Sequence, residues 1–381
     1  MARYDLPIVM LHTVNDAPQE HPLGFLTFSS RQFRAFLRFF QRDGYRTIFF
    51  SELPALIAAG ALGREKLVLL TFDDGFLDNA LIALPILQEF GMKATIFANP
   101  GYAGAGPART LADVPNAWGY LNVAELRALQ QSGVFDVQSH TMTHDFIFTD
   151  DTIVDLYTPD KFDQYHWLCW MLHPPCAREW HGDVRRFASR IPTGYPIFTY
   201  DRCLAGRQFI PDPAFVARCL ENAQRAHSRP LEALRDMPAG DYESQEAYEG
   251  RVREQLAGSR AVLASTLGTT IDTVCFPGGC YNPLVLAQAE EAGYRYYMRA
   301  SRDRSGMNVP ALSAAPLPPL VGLRRLSFTH DYPQALPASL AAYWLAKISI
   351  SAYQGDAWFR GGKQMLRAAR RLLAAGRARA H

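Results

Sequence analysis

At 381 residues, 48% of them hydrophobic, the chain can fill a sizeable core and exceeds the usual size of one domain, so one enlarged domain or two are both open. A formal net charge of +2 argues against a general nucleic-acid binder, which carries a much larger basic excess. Six cysteines at irregular spacing, with no CxxC pair, indicate neither a structural zinc site nor a disulfide framework.

In chain order, Leu6 to Leu11 is a short apolar strand that runs into His12, and α/β folds place active groups just past strand ends. Its flank, Met1 to Leu11, lacks the long apolar core and small-residue cleavage site of a secretory signal, which sets an expectation of cytoplasmic residence. After the capping pair Ser29-Ser30, the residues Phe33, Phe36, Leu37 and Phe40 recur at helical spacing up to Gly44. Tyr45 to Phe49 reads as a strand, and Ser51 caps a short helix.

Leu67 to Phe72 is an apolar run with the composition of a buried strand, and it ends on Asp73-Asp74-Gly75. Asn79 to Phe90 reads as a helix stopped by Gly91, Lys93 to Ala98 as a strand, Asn122 to Ser132 as a helix and Phe135 to Gln138 as a strand. Strand, helix, strand in this order implies a parallel sheet with right-handed crossovers. Asp150 to Tyr242 breaks the rhythm; rich in aromatic residues, Pro, Arg and His, it reads as an insertion or cap. A long helix follows over Glu243 to Leu267, a strand over Asp272 to Phe276, a helix over Pro283 to Ala292, and a last strand over Gly322 to Phe328 before His330.

Two stretches carry chemistry. Adjacent carboxylates a few ångströms apart resist joint ionisation when buried, and a bound cation removes the conflict. Ser139-His140-Thr141-Met142-Thr143-His144 lies past a second strand end, and two histidines with one carboxylate form a common divalent-metal ligand set that leaves positions open for water and substrate. Taken separately, Asp-Asp-Gly is also ordinary turn chemistry, and an HxxxH pair can be two unrelated loop histidines.

Thr71-Phe72-Asp73-Asp74-Gly75 together with His140 to His144 resembles the first two motifs of the polysaccharide deacetylases, the NodB-homology domain of carbohydrate esterase family four. Leu11-His12 and Phe276-Pro277-Gly278-Gly279 are similar to the circularly permuted branch that contains the poly-N-acetylglucosamine deacetylases. The resemblance covers roughly Leu6 to Phe146 and Val252 to His330. It implies an α/β fold, a deformed (β/α) barrel with a large insertion. Residues 1–149 would form its first part, 150–242 the insertion or cap, 243–335 the second part, and 336–381 a C-terminal helical segment.

The activity implied is amide hydrolysis of an N-acetylated saccharide, with release of acetate. Carried over by position, Asp74, His140 and His144 would hold one divalent metal, zinc ahead of nickel, cobalt or iron. Asp73 would be the general base, His12 the general acid with His330 as competitor, and a backbone N–H at Gly278 would help hold the oxyanion. The chain departs from the family in having Gly278 where a tyrosine often follows the proline, and the arginine and tryptophan motifs of the unpermuted branch have no clear match. Other readings of the same residues are a deacylase of a different amide or ester and a catalytically silent glycan-binding module.

From Ala357 to His381 the chain carries seven basic residues and no acidic ones, and Trp358, Phe359, Met365, Leu366, Ala369, Leu372 and Leu373 fall roughly on one helical face. That is the pattern of a basic amphipathic helix able to lie on an anionic membrane, and equally of a terminal helix packed on the barrel. On the first reading the enzyme would sit peripherally at the inner face of the membrane and act on lipid-linked sugars.

Overall fold

The computed structural model describes residues 4–17, 24–224, 239–300, 308–314, 316–328 and 338–354. His330 and the basic stretch 357–381 lie outside the described residues. The expected α/β organisation is present as a nine-stranded parallel sheet. Across it the strands run Val321–Leu323, Tyr296–Met298, Thr273–Cys275, Phe135–Ser139, Ala94–Ala98, Leu67–Phe72, Ile8–Leu11 and Leu326–Ser327, with Arg46–Thr47 also pairing Leu67–Phe72. Every residue of Leu67–Phe72 is buried, as a central strand covered on both faces requires. Ile8–Leu11 runs parallel to it with Leu11 opposite Phe72, so His12 and Asp73 leave adjacent strands at the same level.

The chain divides into two compact units, Met1–Phe97 with Arg127–Val137 and Tyr296–His381, and Ala98–Leu126 with Gln138–Arg295. In the first, the helix Ser30–Arg42 starts where its sequence signals it. Ser29 Oγ accepts from Gln32 N–H, and Gln32 Oε1 accepts from Ser29 N–H, a reciprocal cap. Its buried face packs Phe36 edge-on against Phe28, Phe40 and Phe328, with ring centroids 5.6, 5.1 and 5.1 Å apart. The helix Ala338–Tyr353 lies against it, and among the described residues no helix is long and apolar enough to cross a membrane.

The second unit contains the insertion, which forms its own small sheets outside the nine-stranded one. Phe146–Leu156 pairs antiparallel with Pro196–Arg202, and Phe209–Pro211 with Gly240–Tyr242. Several of its aromatic residues pack on one another: Trp167 lies tilted against Tyr200 at 4.6 Å, and Trp170 meets Phe187 at 5.8 Å and Trp180 at 6.0 Å. The helix expected over Glu243 to Leu267 is found as Gln245–Arg253 and Ser259–Leu267 joined by a π turn at Glu254–Gly258. A second π turn, Asn79–Ala83, opens the helix after the Asp-Asp-Gly loop. The last expected strand is interrupted: Val321–Leu323 and Leu326–Ser327 flank Arg324-Arg325.

The loop after Leu67–Phe72 is pinned by buried polar groups. Asn79 Nδ2 donates to His12 O at 3.0 Å and to Asp78 Oδ1 at 2.9 Å. Asp78 is 1% exposed, and burial pushes its carboxyl well above the ordinary value, an effect that hydrogen bonding to Asn15, Val14 and Asn79 only partly offsets.

Phe36→Ala removes a buried ring from the centre of an aromatic cluster and is expected to lower unfolding free energy by about 3–5 kcal/mol, read from denaturant midpoints. The raised Asp78 carboxyl means that the folded chain keeps a proton which the unfolded chain releases as pH rises above the ordinary carboxylate value. Folding stability therefore falls with rising pH over the window between the two values. Asp78→Asn lacks this linkage, so its stability relative to the unsubstituted chain is expected to improve as pH rises above the ordinary carboxylate value; a difference independent of pH would refute the assignment.

Candidate metal centre

Asp73 is 3% exposed and accepts both arms of one guanidinium. Arg325 Nη1 donates to Oδ1 at 2.6 Å and Nη2 to Oδ2 at 2.8 Å. His12 Nε2 stands 3.9 Å from Asp73 Oδ2, and Asp73 N–H donates to Leu11 O at 3.0 Å, so the two strand ends are tied through backbone as well as side chain. Arg325 was not among the residues singled out from sequence. Its available signal was a charge inside an apolar strand pattern, where a buried counter-ion is the usual reason for a tolerated arginine.

Asp74, 7% exposed, has φ +73°, a left-handed conformation that aspartate adopts more readily than most residues and that Gly75 continues at +68°. This reversal points the second carboxylate differently from the first. Thr141 provides the same device in the histidine motif, with φ +67°, and its N–H donates to Ser139 Oγ at 3.1 Å. The π turn serves the same motif: Gln255 O accepts from Met142 N–H at 3.0 Å, and its side-chain oxygen accepts from Thr143 N–H at 3.0 Å. A carbonyl displaced from the regular helical ladder is available to a neighbouring loop, which accounts for a π turn at this point. Asn99 Nδ2 donates to the carbonyl of His140.

These supports bring the imidazoles of His140 and His144 to a centroid distance of 5.1 Å. One ligand atom each of Asp74, His140 and His144 lies within 4.8 Å of the others. His140 is 2% exposed, and its Nδ1 is 2.7 Å from Cys275 O; a carbonyl only accepts, so Nδ1 carries the proton and the lone pair is on Nε2. That is the tautomer a metal ligand needs, held by the kind of outer hydrogen bond that commonly orients one. The donor set, two imidazoles and a buried carboxylate, fits zinc, nickel, cobalt or iron. Asp73, His140 and Cys275 form a second group within the same limit, but there the carboxylate is already paired with a fixed positive charge, the Arg325 guanidinium, which opposes a second cation.

Gly278 follows the strand that carries Cys275, in a tight turn closed by Gly279 N–H to Phe276 O at 2.9 Å. Its φ is +61°, and a Cβ there would come within 3.1 Å of Arg202 Cγ. Glycine is therefore demanded twice, by backbone conformation and by the neighbouring arginine. Arg202 comes from the insertion and also escaped the sequence reading, since no motif marks it.

Residues 62–162 match the family described as Polysaccharide deacetylase. A stretch of 139 residues is 30% identical to YxkH of Bacillus subtilis (strain 168), whose curated name places it provisionally among the polysaccharide deacetylases; the match spans 36% of this chain and 43% of that protein. In fold, the chain is similar to a de-N-acetylase from Aggregatibacter actinomycetemcomitans, with a TM-score of 0.53, 13% identity, and coverage of 89% of this chain and 99% of the other. It is also similar to the deacetylase domain of BpsB from Bordetella bronchiseptica, with a TM-score of 0.51, 19% identity, and coverage of 84% and 95%. The deformed barrel that the resemblance implies is thus the fold found, and the segment that carries Asp73, Asp74, His140 and His144 is the one that matches the polysaccharide deacetylase family.

Proposed function

We propose that the chain is a metal-dependent carbohydrate N-deacetylase that hydrolyses the N-acetyl group of an amino sugar in a glycan or lipid-linked saccharide. The observation that carries the reading is the convergence of Asp74, His140 and His144 on one point, next in sequence to a carboxylate held in a bidentate arginine pair. Asp74, His140 and His144 would hold the divalent cation. When bound there, it supplies Lewis acidity toward the acetyl carbonyl and the attacking water.

The remaining roles fall to the chain's own groups. Asp73 accepts the proton of the attacking water, and Arg325 keeps that carboxylate ionised and fixes its orientation. His12, across the strand ends from Asp73, protonates the departing amine, a task that an imidazole N–H can perform. The backbone in the Pro277–Gly279 turn contributes a donor toward the developing oxyanion. The match to the polysaccharide deacetylases supports a saccharide as the substrate class.

Acetate release from an oligosaccharide of N-acetylglucosamine tests the reading. Chelation is expected to abolish it and added zinc to restore it; release that survives complete metal removal would end the proposal. Asp73→Asn is expected to lower kcat about 10²- to 10⁴-fold with substrate binding retained, the loss typical of a general base. Arg325→Met leaves a buried carboxylate without its counter-ion, which then holds its proton more tightly. The acid limb of the pH–rate profile should move to higher pH, and folding stability should fall by about 3–5 kcal/mol.

A further inference from the structure

Arg202, the last residue of the strand Pro196–Arg202, reaches a proposed metal ligand. Its Nη1 is 2.7 Å from His144 Nδ1 and 3.2 Å from His144 O, and its guanidinium lies 3.7 Å above the Phe146 ring. The Cγ stem runs past Gly278, where a larger residue would displace it. The side chain is therefore held at its head by His144 and Phe146 and along its stem by Gly278, and is not a loosely placed surface charge.

Arginine only donates. A hydrogen bond from Nη1 makes His144 Nδ1 the acceptor, so a neutral His144 carries its proton on Nε2. Coordination through Nε2 requires that proton to move to Nδ1, where it would face the N–H of Arg202. Coordination through Nδ1 requires the lone pair that Arg202 already occupies. Neither nitrogen can bind a cation while the contact persists, and His140 is under no such constraint because its partner is a carbonyl.

We propose that Arg202 is a built-in competitor for the metal site, and that loading of a divalent cation on His144 is coupled to withdrawal of Arg202 from it. The proposal rests on Asp74, His140 and His144 being the ligand set. It gives the insertion a role in the chemistry, since the strand that supplies Arg202 is paired through Phe146–Leu156 with the chain that leaves the histidine motif. The guanidinium opposes loading in two ways, through the hydrogen bond lost and through its like charge.

Zinc titrations of the metal-stripped full chain, followed by competition with a chromophoric chelator, test this. Arg202→Met keeps the stem over Phe146 and removes both effects, and it should bind zinc about ten- to a hundredfold more tightly than the unsubstituted chain. Arg202→Lys, which keeps the charge but loses the planar fork, should lie between them. Affinity unchanged or weaker in both variants overturns the proposal. Nitrogen-15 spectra of histidine-labelled protein provide a readout that needs no variant: His144 should be the Nε2–H tautomer without zinc, and its Nδ1 should change state when zinc is added. An Nδ1–H tautomer in the metal-free chain overturns the proposal as well. His140→Ala separates the two readings. If it leaves zinc binding intact, the ligand set falls and the competitor role with it; if it abolishes binding while the Arg202 variants match the unsubstituted chain, only the competitor role falls.

Discussion

Two neighbouring carboxylates at the end of a fully buried strand are an electrostatic problem before they are a catalytic device. Each is costly to ionise in an apolar setting, and each raises the cost of ionising the other. The chain meets half of the problem itself, with the guanidinium of Arg325 bound through two hydrogen bonds to Asp73. The other half falls on Asp74, whose backbone turns into the left-handed region and whose carboxylate comes within reach of two imidazoles. One acid is thereby matched to a fixed organic cation and the other to a set of neutral donors, which assigns different chemistry to residues adjacent in sequence.

The supports around these side chains share a logic. Backbone that departs from regular geometry recurs where a functional group must be aimed: positive φ at Asp74 and Thr141, and π turns at Asn79–Ala83 and Glu254–Gly258. Such conformations cost free energy and persist where surrounding hydrogen bonds over-determine them. Here the bonds are identifiable. Asn79 bridges the His12 carbonyl and Asp78, while Gln255 ties down both Met142 and Thr143.

The insertion is a structure in its own right, with a core built from the tryptophan and tyrosine side chains that its composition advertised. One arginine of its strand Pro196–Arg202 reaches a histidine of the candidate site. The contrast between His140 and His144 follows from their partners. A carbonyl leaves His140 in the ligand tautomer, whereas a guanidinium leaves His144 in the opposite one.

Local sequence determined the parallel α/β plan, the Ser29 cap, the buried character of Leu67–Phe72, and the two strand-end motifs that hold both carboxylates and both histidines. Those features depend on periodicity, turn chemistry and composition within a few residues, and such information is written along the chain. The counter-ion of Asp73 and the partner of His144 were settled only by tertiary structure. Arg325 lies 252 positions from Asp73 and Arg202 lies 58 from His144, and neither sits in a recognisable motif. An arginine's role depends on which acceptor its long side chain reaches after the sheet and the insertion have formed, and nothing local to Arg202 or Arg325 encodes that distance.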